Sequence, residues 1–200
     1  VNLLGIVAVY CDPDTYPLVP PVHTGVRMAI ALHTRQIPNF TNSAEIHLGN
    51  FLAGSFVMSL CEVGLDLMET GQYSEPGTLF KLLFARYCCS SRTLVLHIRG
   101  NNSSHGLALY FRAFTILKEH CGVAQPIHLH CFGGMASDVT GCVAHFTKCY
   151  FGFTVAVRHL SGEQTLGLKQ TIMVATDSPY LSPNRQITLN RPALVGDVVE

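Results

Sequence analysis

The sequence is poor in charged residues and lacks the short motifs of several enzyme classes. Charged residues make up 13% of its 200 residues, and the formal net charge is zero with histidine neutral. Without an excess of basic residues, no global positive field indicates nucleic-acid binding, although a phosphate site needs only a local patch. No GxGxxG follows a strand-like run and no GxSxG occurs. The sequence therefore argues against a Rossmann-type dehydrogenase and against a serine hydrolase of the nucleophile-elbow type.

The eight cysteines lack the spacing of a zinc site. There is no CxxC, since Cys88 and Cys89 are adjacent and the others are scattered. Cys61 and Cys142 lie in apolar stretches, where a buried free thiol is the ordinary interpretation. This pattern favours a reducing compartment over a disulfide framework. With no visible signal peptide and no credible membrane span, we expect a cytoplasmic or nuclear protein that does not bind membranes.

Length and composition predict one globular domain over residues 1–200. Apolar residues make up 48% of the chain, enough to bury a sizeable core. The sequence opens on Val1 inside a strand-like run, and it stops within or before what would be its last helix. We therefore expect a domain truncated at both ends.

Short apolar runs rich in β-branched residues alternate with segments of helical periodicity. Alternation of this kind predicts βαβ units and a parallel sheet that is covered on both faces. The spacing of the strand ends is close to the length of one βα unit. The pattern predicts a TIM-type (β/α)8 barrel with seven visible strands and strand one absent. The predicted strands are 3–10, 26–32, 56–61, 93–97, 126–131, 150–155 and 171–176, with helices near 43–53, 76–88, 104–120, 137–147 and 161–169.

Four of these strands have a carboxylate or a histidine close to their carboxyl ends: Glu62, His97, His130 and Asp177. Parallel barrel strands bring their carboxyl ends to one mouth, so we expect the four side chains to converge there. Oxygen and nitrogen donors of this kind suit Zn²⁺, Mn²⁺ or Mg²⁺. His128 shares a strand face with His130 and is an alternative ligand, but His130 is nearer the strand end and is preferred. Taken singly, Glu62, His97 and His130 are each more often a solvated or structural group than a ligand, whereas the Asp177 position alone is a moderate signal.

Five sequence elements occur in the order found in the TatD family of metal-dependent deoxyribonucleases. CEVGLD, from Cys61 to Asp66, resembles the GEIGLD element of that family, and LHIR, from Leu96 to Arg99, resembles its LHxR element. HCFGG, which starts at His130, is similar to HCFxG, and TDSPYL, which contains Asp177, is similar to ETDSPYL. ALH, which ends at His33, is similar to the GxHP element.

The resemblance implies an amidohydrolase-like TIM barrel that hydrolyses phosphodiester bonds of DNA at one or two divalent metal ions. It implies that Glu62 bridges two metals and that His97 and His130 hold one of them. Asp177 would bind the other metal and orient or deprotonate the attacking water. Arg99 and His33 would contact phosphate, for which a guanidinium is suited because it can pair with two oxygens at once.

The sequence departs from the family pattern at the other metal. The HxH pair of the first family strand has no counterpart before Tyr10, and Ala175 replaces the glutamate before Thr176. Two alternatives to a deoxyribonuclease therefore stay open. One is a non-catalytic or single-metal relative with an incomplete site, and the other is a different hydrolysis, of an amide or lactone, on the same barrel.

Overall fold

The computed structural model describes residues 5–20, 23–67, 76–100, 107–154 and 172–174. Within these ranges lie seven strands, and each pairs in parallel with the next in chain order. This is the sheet of a TIM-type α/β fold, as the sequence predicts, and β1 and β7 lie at the edges of the described sheet. The strands are β1 Ile6–Tyr10, β2 Val26–Ile30, β3 Val57–Asp66, β4 Thr93–Arg99, β5 Ile127–His130, β6 Cys149–Phe153 and β7 Ile172–Val174.

Four α-helices connect the central strands. Helix α1 begins at a capped end, because the hydroxyl of Thr41 accepts a hydrogen bond from the backbone N–H of Ala44 at 3.2 Å. One helix follows each of β2, β3, β4 and β5, which is the crossover that parallel strands require. The helices are α1 Asn42–Leu52, α2 Pro76–Tyr87, α3 Leu107–His120 and α4 Ala136–His145.

One main core fills the space between the sheet and the helices. The sheet contributes side chains such as Leu60, Leu96 and Phe151, which are fully buried. Leu48 of α1 and Leu117 of α3 pack against them from the helix side. On β4 the consecutive residues Leu94, Val95 and Leu96 are all buried, so both faces of this central strand are covered, in keeping with its continuous apolar sequence. No helix in the described part of the chain is long and apolar enough to cross a membrane.

Strand β3 is longer than the sequence predicts. The apolar run suggested an end at Cys61, but β3 continues to Asp66. Its pairing with β4 shifts register between Cys61 and Val63, so Glu62 is the extra residue of a β-bulge. Glu62 therefore lies inside the strand rather than after it. The extension could not be predicted from the sequence, because the polar residues Glu62 and Asp66 interrupt the hydrophobic pattern by which strands are recognised.

The expectation that Cys142 is a free thiol is wrong. Cys142 of α4 forms a disulfide with Cys149, the first residue of β6. Only three residues separate α4 from β6, so the chain turns back and brings the helix against the start of the strand. The spacing of the cysteines in the sequence does not predict this disulfide. The other six cysteines are free thiols.

Candidate metal centre

Glu62 occupies the middle of a row of polar side chains at the carboxyl ends of the strands. Because of the bulge in β3, the Glu62 side chain departs from the regular alternation of side chains between the two faces of the strand. Bulges often redirect a side chain in this way beside active sites. Its side chain keeps about a fifth of its surface exposed, at 20%. The carboxylate is thus partly shielded from solvent and still open to a ligand.

Each oxygen of Glu62 faces a different histidine. Oε2 lies 3.5 Å from Nδ1 of His97, and Oε1 lies 3.5 Å from Nε2 of His130. His97 and His130 are register partners on β4 and β5, so the sheet itself sets their spacing. The structure brings together three of the four side chains that the sequence predicts as ligands.

The donor set and its spacing fit a small divalent cation. Carboxylate oxygen and imidazole nitrogen are the donors of many zinc sites. In a tetrahedral site with bonds of about 2.0–2.2 Å, two ligand atoms lie about 3.3–3.6 Å apart. The two Glu62–histidine separations of 3.5 Å fall in that interval. Either pair can therefore contribute two ligands to a divalent ion. His130 faces the second oxygen of Glu62 and is not part of the group whose ligand atoms all lie within 4.8 Å of one another, which among the described residues is His33, Glu62 and His97.

His33 belongs to the same cluster, which the sequence did not predict in this form. Within the described residues, the potential ligand atoms of His33, Glu62 and His97 lie within 4.8 Å of one another. The rings of His33 and His97 are 5.0 Å apart between centroids. His33 follows β2, one strand away from Glu62, which explains how it reaches the group.

The hydrogen bonds of His33 favour a donor over a ligand. Its Nδ1 accepts a hydrogen bond from the backbone N–H of Arg35 at 3.2 Å. In the neutral ring the proton then resides on Nε2, which can donate to an anion. Burial, followed by the neighbouring His97, lowers the pKa of His33 and keeps the ring neutral. A neutral ring that donates from Nε2 is compatible with the phosphate contact that the family resemblance implies for His33.

His130 rather than His128 faces the carboxylate. His128 lies two residues earlier on β5, and its Nε2 is buried without a hydrogen-bond partner among the described residues. A Cβ at Gly152 would come within 2.6 Å of that nitrogen, so the glycine makes room for the ring. Burial, and then His130, lowers the pKa of His128 to about 4.

The turn after His130 is fixed by aromatic packing. Phe132 is buried and packs against Tyr110 of α3 and Phe151 of β6, with ring centroids 5.2 Å and 5.0 Å away. The hydroxyl of Tyr110 accepts a hydrogen bond from the backbone N–H of Gly133 at 3.0 Å. The aromatic residue of the HCFGG element thus anchors the loop that carries His130.

Asp66 and Arg99 form a second polar layer behind His97. The Asp66 side chain is fully buried, and its Oδ2 lies 3.2 Å from Nε2 of His97. Arg99 donates from Nε to Oδ1 at 3.0 Å and reaches Oδ2 with a terminal nitrogen at 2.6 Å. The sequence singled out Arg99 but missed Asp66. Alternation along β3 would have placed Asp66 on the face of Gly64, had the strand been extended that far.

The charges of the cluster stabilise one another. Burial alone would raise the pKa of Glu62, but the hydrogen bond from His97 and the nearby His130 outweigh it and lower that pKa. Burial would lower the pKa of His97, but the hydrogen bonds to Asp66 and Glu62 outweigh it and raise that pKa. Perturbed groups gathered at the mouth of a sheet are typical of functional sites.

Asp177, the fourth residue predicted for the site, lies outside the described residues, as does Ala175. Its role as a metal ligand and base therefore stays a prediction. The described strand β7 ends at Val174, three residues before it in the sequence.

Comparison with known proteins gives a consistent result. Residues 18–200 match the profile of a family described as TatD related DNase. Among solved structures, YjjV, a TatD homologue from Escherichia coli K12, superimposes with a TM-score of 0.66 at 17% identity, covering 98% of this chain and 76% of YjjV. An uncharacterized amidohydrolase from Saccharomyces cerevisiae gives 0.60 at 16% identity, covering 92% of this chain and 66% of the yeast protein. At such identities these likenesses show the fold. No curated protein matches the sequence significantly.

Proposed function

Since the chain belongs to the family of TatD-related DNases, we propose that it is a divalent-metal-dependent hydrolase that cleaves phosphodiester bonds of DNA. The observation that carries the proposal is the position of Glu62 between His97 and His130, at 3.5 Å from each. The chain spans 66% and 76% of the lengths of the two solved structures compared.

The residues around Glu62 have distinct tasks in this proposal. Glu62, His97 and His130 would hold one or two ions of Zn²⁺, Mn²⁺ or Mg²⁺, with Glu62 able to bridge because its two oxygens face different histidines. Such an ion would lower the pKa of a bound water, to about 7 in zinc enzymes, and would polarise a phosphoryl oxygen. Asp177 is proposed to bind a second ion and to accept the proton of the attacking water.

Two cationic or donor groups are proposed to position the phosphate. The neutral ring of His33 carries its proton on Nε2 and can donate to a phosphate oxygen. Arg99 keeps 39% of its side chain exposed while its Nε and one terminal nitrogen contact Asp66. A guanidinium that is already oriented loses less entropy when it binds an anion.

Calorimetry and a cleavage assay test the proposal together. Zn²⁺ or Mn²⁺ titrated into the metal-free protein should bind, and the loaded protein should cleave single-stranded or nicked DNA. Glu62→Gln and His97→Ala should each lose most of the metal affinity and the activity. Asp177→Asn should keep part of the metal affinity and lose about 10²–10⁴ in rate, as expected when a general base is removed.

A matched control separates these effects from general charge loss. Glu119→Gln removes one carboxylate from the exposed side of α3, where 53% of the side chain is accessible, and it should behave like the unaltered protein. Cleavage of amides or lactones but not DNA would favour the other hydrolase. Failure of any divalent cation to bind would favour the non-catalytic relative.

A further inference from the structure

Asp66 is a charged group that the fold has completely removed from solvent. Its side chain has no exposed surface, and it is the last residue of β3. A buried carboxylate is costly unless hydrogen bonds and an opposite charge compensate it. Here the compensation comes from His97 and Arg99, both on the adjacent strand β4.

The contact with Asp66 favours one position for the proton of the neutral His97 ring. An ionised carboxylate can only accept hydrogen bonds. Both ring nitrogens of His97 face a carboxylate, but the contact of Nε2 with Oδ2 of Asp66, at 3.2 Å, is shorter than that of Nδ1 with Glu62, at 3.5 Å. When the ring is neutral, we therefore place its proton on Nε2. In the neutral ring this leaves a lone pair on Nδ1, the atom that lies 3.5 Å from Glu62. A histidine held in this way presents a bare nitrogen to a cation.

The same carboxylate fixes Arg99. Asp66 and Arg99 are register partners on β3 and β4, and the guanidinium makes two contacts with the carboxylate, at 3.0 Å and 2.6 Å. A two-point contact of this kind defines the plane of the guanidinium as well as its position. One buried group thus orients a candidate ligand and a candidate phosphate contact.

Gly64 makes this arrangement possible. It lies opposite His97 in the register of β3 and β4, and a Cβ at this position would overlap the backbone of His97. The glycine allows the two strands to approach where the bulge at Glu62 has changed the pairing. The close approach brings the Asp66 carboxylate within reach of both side chains on β4.

We propose that Asp66 is a positioning residue that holds His97 in the tautomer with Nδ1 free for a divalent cation and holds Arg99 at the mouth of the site. The cation is the divalent metal ion of the function proposed above, and this inference rests on that proposed function. Asp66 does not touch the substrate or the cation; it acts through His97 and Arg99.

Nuclear magnetic resonance of the metal-free, unaltered protein tests the first half directly. Because the pKa of His97 is raised, the pH is increased until the His97 ring has become neutral, and nitrogen-15 correlations then identify the nitrogen that keeps the proton. We expect His97 to carry its proton on Nε2. Observation of the proton on Nδ1 would overturn the proposal, and this result requires neither a variant nor a bound metal.

Metal titration of Asp66→Asn tests what the orientation of His97 contributes to metal affinity. The amide preserves shape but removes the charge, so it cannot satisfy His97 and both contacts of Arg99 together. We expect Zn²⁺ affinity to fall about 10- to 100-fold, the usual effect of losing a carboxylate that orients a metal-binding histidine. The matched variant Asp14→Asn, at an exposed position, should bind Zn²⁺ like the unaltered protein.

The outcomes separate this inference from the proposed function. If the unaltered protein binds no cation, the proposed function fails, and the tautomer of His97 still decides the role of Asp66. If the unaltered protein binds Zn²⁺ and a folded Asp66→Asn protein binds it equally well, Asp66 does not position the ligand. Circular dichroism verifies the fold, and if Asp66→Asn does not fold, the tautomer measurement decides.

Discussion

The two central strands β3 and β4 differ sharply from β1 and β7, which lie at the edges of the described sheet. Leu60 and Leu96 on the central pair are fully buried, whereas Ile6 on β1 and Ile172 on β7 keep 55% and 53% of their surface exposed. All four strands are apolar in sequence. An apolar sequence therefore predicts a strand, but it does not predict how deeply the strand is buried. Burial depends on which strands and helices pack against it in the fold.

The candidate metal centre lies on the covered part of the sheet. Glu62 and Asp66 on β3 and His97 and Arg99 on β4 interact across the pair with the most extensive register in the sheet. Close-packed surroundings hold side chains in single rotamers, and a lower local dielectric strengthens contacts between charges. A site that must keep several ligands in place is therefore favoured at the centre of the sheet over its edges.

The largest expected contrast comes from exchanging a glycine in each region for alanine. Gly64→Ala places a methyl group against the His97 backbone, so the β3–β4 pair must separate, at a cost on the order of 4 kcal/mol or more. Gly5→Ala, before β1, meets the Gly25 carbonyl oxygen at 3.3 Å and should cost far less. Urea unfolding of both variants measures the difference, and equal losses would contradict the contrast between centre and edge.

Truncation of an apolar side chain in each region should give the next largest difference. Leu96→Ala on β4 leaves a cavity in the core and should destabilise the protein by about 2–5 kcal/mol. Ile6→Ala on β1 removes a side chain that is already half exposed and should cost less than about 1 kcal/mol. Thermal unfolding followed by circular dichroism compares them. A loss at Ile6 as large as that at Leu96 would show that β1 is covered in solution.

Metal binding should stabilise the centre of the sheet and depend on its residues. A cation at 100 times its dissociation constant should raise the free energy of unfolding by about 2.7 kcal/mol. Glu62→Gln should remove most of this gain, because it eliminates the negative charge and replaces one of the two oxygens with an amide nitrogen that cannot bind a cation. Differential scanning calorimetry with and without Zn²⁺ measures the shift, and the edge variant Ile6→Ala should retain it in full. A shift that persists in Glu62→Gln would assign the cation to another site.

The smallest effect on stability is expected from a charge placed on the edge. Val7→Lys on β1 substitutes a residue that is 52% exposed, so the free energy of unfolding should change by no more than about 0.5 kcal/mol. A lysine on an exposed edge opposes pairing between molecules. Light scattering at increasing concentration should therefore show less association than for the unaltered protein. Unfolding of the variant would mean that the Val7 side chain packs against the core.

The sequence by itself determined the strands, their parallel order and the identity of most site residues. Apolar runs with helical segments between them require crossover connections, and these place the carboxyl ends of the strands together. Glu62, His97 and His130 follow from that rule, because each stands where an apolar run ends. Their roles as ligands stay predictions.

Only the tertiary structure decided how those residues meet. The bulge at Glu62 and the extension of β3 to Asp66 arise from the pairing with β4, and the Cys142–Cys149 disulfide arises from the return of α4 to β6. His33 joins Glu62 and His97 although the three are far apart in sequence. Periodicity reports which face a residue occupies, but a distance of a few ångströms between strands depends on packing and register, which no local pattern encodes.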